Sequence, residues 1–203
     1  IDKIADAVKG KGIYVLSDEI YDRIVYSGNV KSIASIPEMK DWTIVVDGFS
    51  KAYAMTGWRL GYGIMSKELA DKMELLMVNS NACVTTFVQV AAIEALRGLQ
   101  DEVDKMVAEF KKRRDFIVDG LNSIKGFSCR KPEGAFYAFP NITATGMDSQ
   151  ELADYLLDTA GVATLAGTGF GSTGEGYLRL SYANSIGNIE IAIDRINKAL
   201  KNR

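Results

Sequence analysis

The stretch TIVVDGFSKAYAMTGWRLGY occupies residues 43–62 and carries the most informative pattern in the chain. It opens with an apolar run typical of a buried strand, which ends in a turn that presents Ser50 and Lys51. Arg59 follows eight residues after the lysine. An amine beside a hydroxyl and a guanidinium predicts a nucleophile next to an anion site, which fits a lysine Schiff base with a phosphorylated aldehyde cofactor. The alternative, a solvated loop lysine, is disfavoured by the surrounding pattern.

The composition of the chain narrows the classes of function. The net charge of −2 gives no reason to expect nucleic acid or an anionic membrane as a partner, and no apolar run approaches membrane-spanning length. The sequence contains no histidine, which excludes a histidine triad, a histidine base and a histidine metal site. Cys83 and Cys129 are isolated in sequence, which is typical of reduced thiols and favours a cytoplasmic location.

The first part of the chain alternates apolar runs with segments of helical periodicity. The predicted strands cover residues 13–17, 43–46 and 59–65, and the predicted helices cover residues 1–9, 67–79, 84–98 and 101–124. Strands that alternate with helices predict an α/β fold, with a mostly parallel sheet and flanking helices. The first helix is already under way at residue 1, and no initiator Met precedes it, so we expect the chain to be part of a longer protein.

The pattern changes after about residue 125 to that of a smaller α+β domain. Strands are predicted at residues 126–130 and 135–139, joined by a turn, and near 162–165 and 177–182, with helices at 149–160 and 188–201. The sequence therefore predicts two domains, residues 1–110 and 111–203, with the long helix at 101–124 bridging them. The Gly-rich stretch 167–176 is predicted to be a long irregular loop that covers a site.

Asp18 follows the first predicted strand, at the position where open α/β sheets bind ligands. A carboxylate there can pair with a protonated ring nitrogen of a cofactor, and Tyr21 can donate a hydrogen bond to a phenolate-like oxygen. A helix-capping aspartate with a packing tyrosine is the alternative. Ser50 and Arg59 fit a phosphate site, but each residue alone also fits a turn serine or a surface ion pair.

Arg179 lies within a predicted strand, where alternation places it on one face with Tyr177 and Ser181. A buried arginine in the middle of a strand requires an anionic partner. A substrate carboxylate would provide that partner, and an internal salt bridge or an exposed edge face remains the alternative.

Four motifs resemble the pyridoxal 5′-phosphate (PLP) dependent aminotransferases of fold type I, and among them the class I/II group around aspartate aminotransferase. The motifs are SDEIY at 17–21, SKAYAMTGWRLGY at 50–62, EGAFY at 133–137 and YLRLS at 177–181. The resemblance covers essentially the whole chain, and the lysine motif is its most specific part. One departure is Ala166-Gly167, where the family usually has Pro-Gly, and we expect it to loosen the following loop.

The resemblance implies a role for each matching residue. Lys51 would hold PLP as a Schiff base and later carry the reaction's proton, while Asp18 would pair with the pyridine nitrogen and Tyr21 with the ring oxygen. Ser50 and Arg59 would bind the phosphate. The resemblance also implies that Arg179 binds the substrate α-carboxylate, that no metal is required, and that Phe136 and Tyr137 lie on a strand facing the site.

The resemblance further implies that this chain is the C-terminal portion of such an enzyme. The family's N-terminal half, including an Asn-Pro-x-x-Pro-Thr-Gly segment expected just before residue 1, has no counterpart here. We therefore expect the 203-residue chain to bind PLP poorly and to be inactive alone. The whole protein is expected to be a homodimer in amino acid metabolism that transfers the amino group of an L-amino acid, with aspartate or glutamate favoured, to a 2-oxo acid.

Other functions remain open at this point. A different PLP enzyme of the same scaffold, such as a C–S β-lyase or a cyclopropane-forming synthase, would use the same lysine motif. A non-catalytic module could keep the scaffold, although the intact Lys51, Asp18 and Arg179 argue against that. A Schiff-base lyase without PLP is disfavoured by Ser50 and Arg59, which together form an anion site.

Overall fold

The computed structural model describes residues 1–201, which form two compact units. The first unit covers Ile1–Lys105 and the second begins at Met106. The first contains α1 (Asp2–Val8), β1 (Val15–Asp18), β2 (Thr43–Gly48), β3 (Gly61–Ile64), α2 (Lys67–Ser80) and α3 (Thr86–Arg97). The helix α4 (Asp101–Asn122) crosses the boundary, and the second unit continues with β4 (Tyr137–Ala138), α5 (Ser149–Ala160), β5 (Leu165–Ala166), β6 (Leu178–Ser181) and α6 (Ile186–Lys201).

The sheet of the first unit has the order β1-β2-β3. Strands β1 and β2 are parallel, with Asp18 opposite Val46, whereas β2 and β3 are antiparallel, with Asp47 opposite Tyr62. The prediction of a mostly parallel sheet is therefore wrong for β3. The reason is that residues 49–60 contain only turns and a 3₁₀ helix, and a parallel return would require a crossover connection, usually helical.

Two glycines permit the close approach of β2 and β3 on either side of the lysine turn, which comprises residues 49–60. A Cβ atom on Gly48 would lie 3.0 Å from the Cα of Gly61 and 3.1 Å from the backbone oxygen of Leu60. A Cβ atom on Gly61 would lie 3.0 Å from the oxygen of Asp47. Since these distances are tighter than most real Cβ contacts, a side chain at either position would require the neighbouring backbone to shift by a few tenths of an ångström.

The lysine turn is packed against α3. Phe49, Met55 and Ala92 form a buried cluster, and the half-buried Leu60 and Ala95 pack against it. The Phe49 ring also lies 5.5 Å from the ring of Tyr53 and 5.6 Å from that of Tyr62, measured between centroids. Residues on both sides of Lys51 are thus anchored to α3.

The outer surfaces of α2 and α3 are apolar and exposed. Helix α2 has no buried residue, and Leu75 and Leu76 are each 63% exposed. On α3 the exposed fractions of Phe87 and Val90 are 69% and 62%. Contiguous exposed apolar surface of this kind marks a site of contact with other protein or with a ligand.

The second unit is an α+β arrangement around a small antiparallel sheet of order β4-β6-β5. Its core contains Leu121, Leu152, Leu156, Leu178, Tyr182 and Ile196, each 0% exposed. Helix α5 is capped at its N-terminus by Asp148, whose carboxylate accepts a hydrogen bond from Glu151 N at 2.7 Å, and at its C-terminus by Gly161 in the left-handed conformation. The side chain of Tyr182 donates to the oxygen of Ala135 at 3.1 Å, which connects β6 to the turn before β4.

Two expectations for the second unit are corrected. The predicted hairpin of residues 126–130 and 135–139 is reduced to a single bridge between Ser128 and Asn141, because β4 instead pairs with β6. The Gly-rich stretch is not irregular, since it forms two 3₁₀ helices, Gly167–Phe170 and Ser172–Gly174.

Within residues 1–201, no helix combines the length and the apolar content required to cross a membrane.

The backbone at Ala166 is already suited to the proline that the resemblance leads one to expect. Its φ is −59° and its ψ 134°. Ala166 lies opposite Leu178, and the neighbouring Gly167 N donates to Tyr177 O at 2.8 Å. In this register the N–H of Ala166 points away from β6, so a proline would remove no hydrogen bond of the ladder.

We therefore expect Ala166→Pro to raise the free energy of unfolding by ~0.4–1 kcal/mol, because proline restricts the unfolded chain at no cost to the folded one. Leu165→Pro is the matched control. It removes a bond to Arg179 in the same ladder and should destabilise the protein. Denaturant unfolding of both variants checks the prediction, and comparable destabilisation by the two would contradict it.

Candidate active site

The parallel pairing of β1 and β2 brings two of the predicted site segments to one edge of the sheet. Asp18 is the last residue of β1 and lies opposite Val46, and β2 ends two residues later at Gly48. The carboxyl ends of both strands therefore face the same side, and Ser50 and Lys51 follow directly in the turn.

The amine of Lys51 lies next to Tyr21. Its Nζ is 5.9 Å from the centroid of the Tyr21 ring, within the range of a cation–π contact. Lys51 is half-buried, as is Tyr21. The structure therefore brings together the two residues whose predicted roles concern the reactive end of one cofactor ring.

The segment that carries Asp18 and Tyr21 is held by hydrogen bonds to β2 and to the chain that follows. The Oδ1 atom of Asp18 accepts from Ile20 N at 3.2 Å, and Glu19 N donates to Val46 O at 2.9 Å. The Glu19 carboxylate also accepts from the hydroxyls of Ser17, at 3.0 Å, and Ser32, at 2.7 Å. The carboxylate of Asp18 is left exposed at the sheet edge, where a ligand can reach it.

The lysine turn contains two residues in the left-handed conformation that are not glycine. They are Ala54, with φ 53°, and Arg59, with φ 55°. Such residues are uncommon and each stores of order 1–3 kcal/mol of strain, which the surrounding structure has to overcome. The two flank the 3₁₀ helix Thr56–Trp58, and this geometry sets the direction of Arg59.

Arg59 is exposed and is fixed at one point. Its Nη1 donates to Thr56 O at 2.9 Å, which leaves other N–H groups of the guanidinium directed to solvent. Ser50 is half-buried at the start of the turn. Their predicted role in binding a phosphate stays a prediction.

A cluster of three polar side chains lies beside the lysine turn. Tyr62 donates to the Oδ2 atom of Asp47 at 2.7 Å, and Asp47 Oδ1 accepts from Gly48 N at 2.6 Å. Burial, reinforced by the bond to Asp47, holds the pKa of Tyr62 well above its ordinary value. Burial also raises the pKa of Asp22, and repulsion by Asp47 adds to that shift.

Arg179 lies on β6 in the second unit and is contacted by two aromatic rings. Its Cζ is 4.5 Å from the centroid of Tyr137 and 4.3 Å from that of Phe170. Phe170 belongs to the Gly-rich stretch, and the ring of Phe139 lies 6.3 Å from it. Within residues 1–201, no carboxylate forms an ion pair with Arg179, so the structure does not support the alternative of an internal salt bridge.

The sequence pattern did not reveal several residues that shape these sites. The left-handed backbone at Ala54, Arg59 and Ala135 could not be predicted, because none of these residues is a glycine or asparagine, which usually mark that conformation. Phe170 lies in the Gly-rich stretch, which the sequence predicts only as a loop. Gln100, whose contacts reach two site segments, lies in a helix–helix connection without any motif.

Comparisons with known proteins show the family to which the chain belongs. The family model described as "Aminotransferase class I and II" matches residues 1–196. The chain belongs to the class I and II aminotransferase family.

Individual aminotransferases are similar over this whole chain. A putative aminotransferase of Bacillus subtilis is 42% identical over 98% of this chain and 52% of its own length. An aspartate aminotransferase of Pyrococcus horikoshii is 41% identical over 98% of this chain and 51% of its own length. The solved structure of an aromatic aminotransferase from Pyrococcus horikoshii superposes with a TM-score of 0.96, at 39% identity, and covers 100% of this chain and 54% of that one.

The chain spans about half the length of these aminotransferases. The similarity therefore establishes the family and the fold of this part, with α/β character. The roles of Lys51, Asp18, Tyr21, Ser50, Arg59 and Arg179 stay predictions, as do the domain boundary after residue 110 and the position of this part within a longer aminotransferase.

The raised pKa of Asp22 leads to a prediction on stability. A carboxyl group with a raised pKa in the folded state favours folding when it is protonated and opposes folding when it is charged. At pH 7 the charged Asp22 therefore destabilises the protein. We expect Asp22→Asn to increase the denaturant midpoint at pH 7, and we expect the gain to shrink as the pH falls through the raised pKa of the Asp22 carboxyl, below which the unmodified protein is protonated at this position as well.

Asp71→Asn is the matched control. Asp71 is exposed and accepts a hydrogen bond from Lys67 at 2.7 Å, so its loss should bring no gain in stability at either pH. A midpoint for Asp22→Asn that is lower than that of the unmodified protein at pH 7 would contradict the prediction.

Proposed function

We propose that the protein that carries this chain is a PLP-dependent aminotransferase, which transfers the amino group of an L-amino acid to a 2-oxo acid. One observation carries the proposal. The Lys51 amine lies 5.9 Å from the Tyr21 ring, at the edge of the sheet where Asp18 ends a parallel strand. An amine, a phenol and a carboxylate at one sheet edge form a donor set that matches the aldehyde, ring oxygen and ring nitrogen of PLP.

PLP, when bound, supplies an aldehyde that takes up amino groups and a ring that withdraws electrons from the substrate. The protein's own residues hold it and move protons. Lys51 would bind the cofactor through Nζ and would carry the proton that the reaction moves at the same atom. The exposed carboxylate of Asp18 keeps a proton on the ring nitrogen by charge attraction, and the Tyr21 hydroxyl donates to the ring oxygen.

Arg59 and Ser50 form the proposed phosphate site. The left-handed backbone of Arg59 and its bond to Thr56 O direct the guanidinium, while its other N–H groups are available to phosphate oxygens. Arginine and a hydroxyl are common phosphate ligands, because charged hydrogen bonds are stronger than neutral ones. The strain stored at Ala54 and Arg59 supports a functional role for this turn.

Arg179 is the proposed site of the substrate α-carboxylate. The rings of Tyr137 and Phe170 lie against its guanidinium and restrict its rotation, while its N–H groups stay available for a planar anion. This arrangement presents a fork of donors that is suited to bidentate binding of a carboxylate.

Aspartate with glutamate as the amino acids is our proposal for the substrates. The name of the similar aspartate aminotransferase supports it, and that of the aromatic aminotransferase makes aromatic amino acids the main competitors. We further propose that the protein is a cytoplasmic homodimer.

The isolated 203-residue chain is proposed to be inactive. It spans about half the length of similar aminotransferases, and the apolar surfaces of α2 and α3 are exposed without the remainder. The lysine turn packs directly on α3, so any disorder in that helix would reach Lys51.

Replacement of Lys51 tests the proposed cofactor. We expect the whole protein to bind PLP with a visible absorbance band, and borohydride reduction to attach the cofactor to Lys51, as found by peptide mass spectrometry. Lys51→Ala should lose this attachment and all transaminase activity with aspartate and 2-oxoglutarate, because the amine proposed to bind the cofactor is removed. Lys111→Ala, on the exposed side of α4, is the control and should change neither.

Three outcomes would contradict the proposals. Cofactor attachment that persists in Lys51→Ala would refute the role of the lysine. Turnover of cystathionine in place of amino transfer would favour a C–S β-lyase. A tight PLP complex with transaminase activity in the isolated chain would refute its proposed inactivity.

The rings beside Arg179 lead to a separate prediction on substrate binding. We expect Arg179→Lys to raise the KM for the amino acid ~10- to 100-fold, since a bidentate charged contact is lost. Phe170→Ala should raise KM ~3- to 10-fold, because the guanidinium loses a ring contact. Phe127→Leu, a conservative change in the core of the same unit, is the control. Steady-state kinetics check this, and a fall in kcat at unchanged KM would contradict it.

A further inference from the structure

Gln100 connects two segments of the first unit that are far apart in sequence. Its Oε1 atom accepts hydrogen bonds from Arg23 Nη1, at 3.2 Å, and from the hydroxyl of Tyr53, at 3.3 Å. Arg23 lies 77 residues before it in the chain and Tyr53 lies 47 residues before it. Arg23 closely follows Tyr21, and Tyr53 closely follows Lys51.

The amide group of Gln100 is itself restrained by the backbone at the end of α3. Its Nε2 atom donates to Ala95 O at 3.0 Å and to Gly98 O at 2.8 Å, both at the end of α3. These backbone oxygens belong to the last turn of the helix, where carbonyl groups lack partners within the helix. Both donors and both acceptor positions of the amide are thus occupied, so the orientation of the side chain is determined by four contacts.

The two segments held by Gln100 are also those that present the proposed cofactor residues. Arg23 has a second restraint, since its Nη2 lies 4.0 Å from the carboxylate of Asp104. The neighbouring Ile24 is fully buried, which fixes the backbone after Arg23. In the lysine turn, the Tyr53 ring packs against Phe49, so the hydrogen bond from Tyr53 to Gln100 also restrains the start of the turn.

We propose that Gln100 is a positioning residue, which sets the distance between the Tyr21 segment and the Lys51 turn. Its side-chain hydrogen bonds go to Arg23, to Tyr53 and to the end of α3, and it acts through the first two residues. The effect of Gln100 on cofactor binding rests on the proposed function. The hydrogen-bonded connection between Arg23 and Tyr53 does not depend on that function. The connection gives a role to a polar side chain just after α3 whose amide makes four hydrogen bonds.

Two variants separate this role from simple support of the helix. Gln100→Met keeps the length of the side chain but removes all four hydrogen bonds. Tyr53→Phe removes a single hydroxyl and leaves the contacts with α3 intact. Gln150→Met is the matched control, because Gln150 is exposed on α5 and its amide donates to Asp154 of the same helix at 2.9 Å.

The first measurement is amide hydrogen exchange in the whole protein without PLP. We expect Gln100→Met to accelerate exchange ~3- to 10-fold in both residues 20–24 and residues 53–55, as loss of a tertiary hydrogen bond on each side predicts. Tyr53→Phe should accelerate exchange in residues 53–55 alone, and Gln150→Met in neither segment. Unchanged exchange in either segment of Gln100→Met would overturn the proposal, whether or not the protein binds PLP.

The second measurement is the dissociation constant of PLP, together with the thermal midpoint of the protein without cofactor. We expect the constant to rise ~10-fold in Gln100→Met and ~3-fold in Tyr53→Phe, and the double variant to resemble Gln100→Met because both act through one connection. A lower thermal midpoint with an unchanged PLP constant would overturn the proposal, since it indicates helix support alone. If the unmodified protein binds no PLP, the proposed function fails, and the exchange experiment still decides the role of Gln100.

Discussion

The parallel register of β1 and β2 is the constraint on which the candidate site depends. Four consecutive pairs, from Val15 with Thr43 to Asp18 with Val46, bring the carboxyl ends of both strands to the same edge, where β2 continues two residues further to Gly48. A shift by one residue would turn Asp18 to the other face of the sheet and separate it from the lysine turn. The chemistry proposed here therefore starts from backbone hydrogen bonds rather than from any contact between the functional side chains.

The lysine turn shows how that register becomes a defined side-chain position. Gly48 and Gly61 allow β3 to approach β2, and the chain between them has to reverse within a short distance. The reversal forces Ala54 and Arg59 into the left-handed region, and the buried Phe49 holds the strained turn in place. Strain at Ala54 and Arg59 is thus balanced by apolar burial behind the turn, an arrangement that is common where a functional group has to be held rigidly.

Much of this fold could be predicted from periodicity, because the long helices have strong patterns. The bounds of α5 were predicted as observed, and those of α2 and α4 to within two residues. The antiparallel direction of β3 and the pairing of β4 with β6 could not be predicted, since strand partners are decided by tertiary packing. The lysine motif predicts a role for Lys51 from local sequence, whereas the positions of Gln100 and Phe170 depend on long-range contacts that leave no local signal.

The two units differ in how they use their apolar residues, and this difference bears on the lysine site. In the second unit, Leu121, Leu156 and Tyr182 are fully buried and belong to a core formed by the described residues. In the first unit α2 buries no residue, and Phe87 on α3 is 69% exposed. The buried side of α3 supports Phe49 and Met55 of the lysine turn. Any protein surface that covers the outer side of α3 would therefore reduce the motion of that helix and stabilise the turn, which couples the assembly of the whole protein to the position of the Lys51 amine.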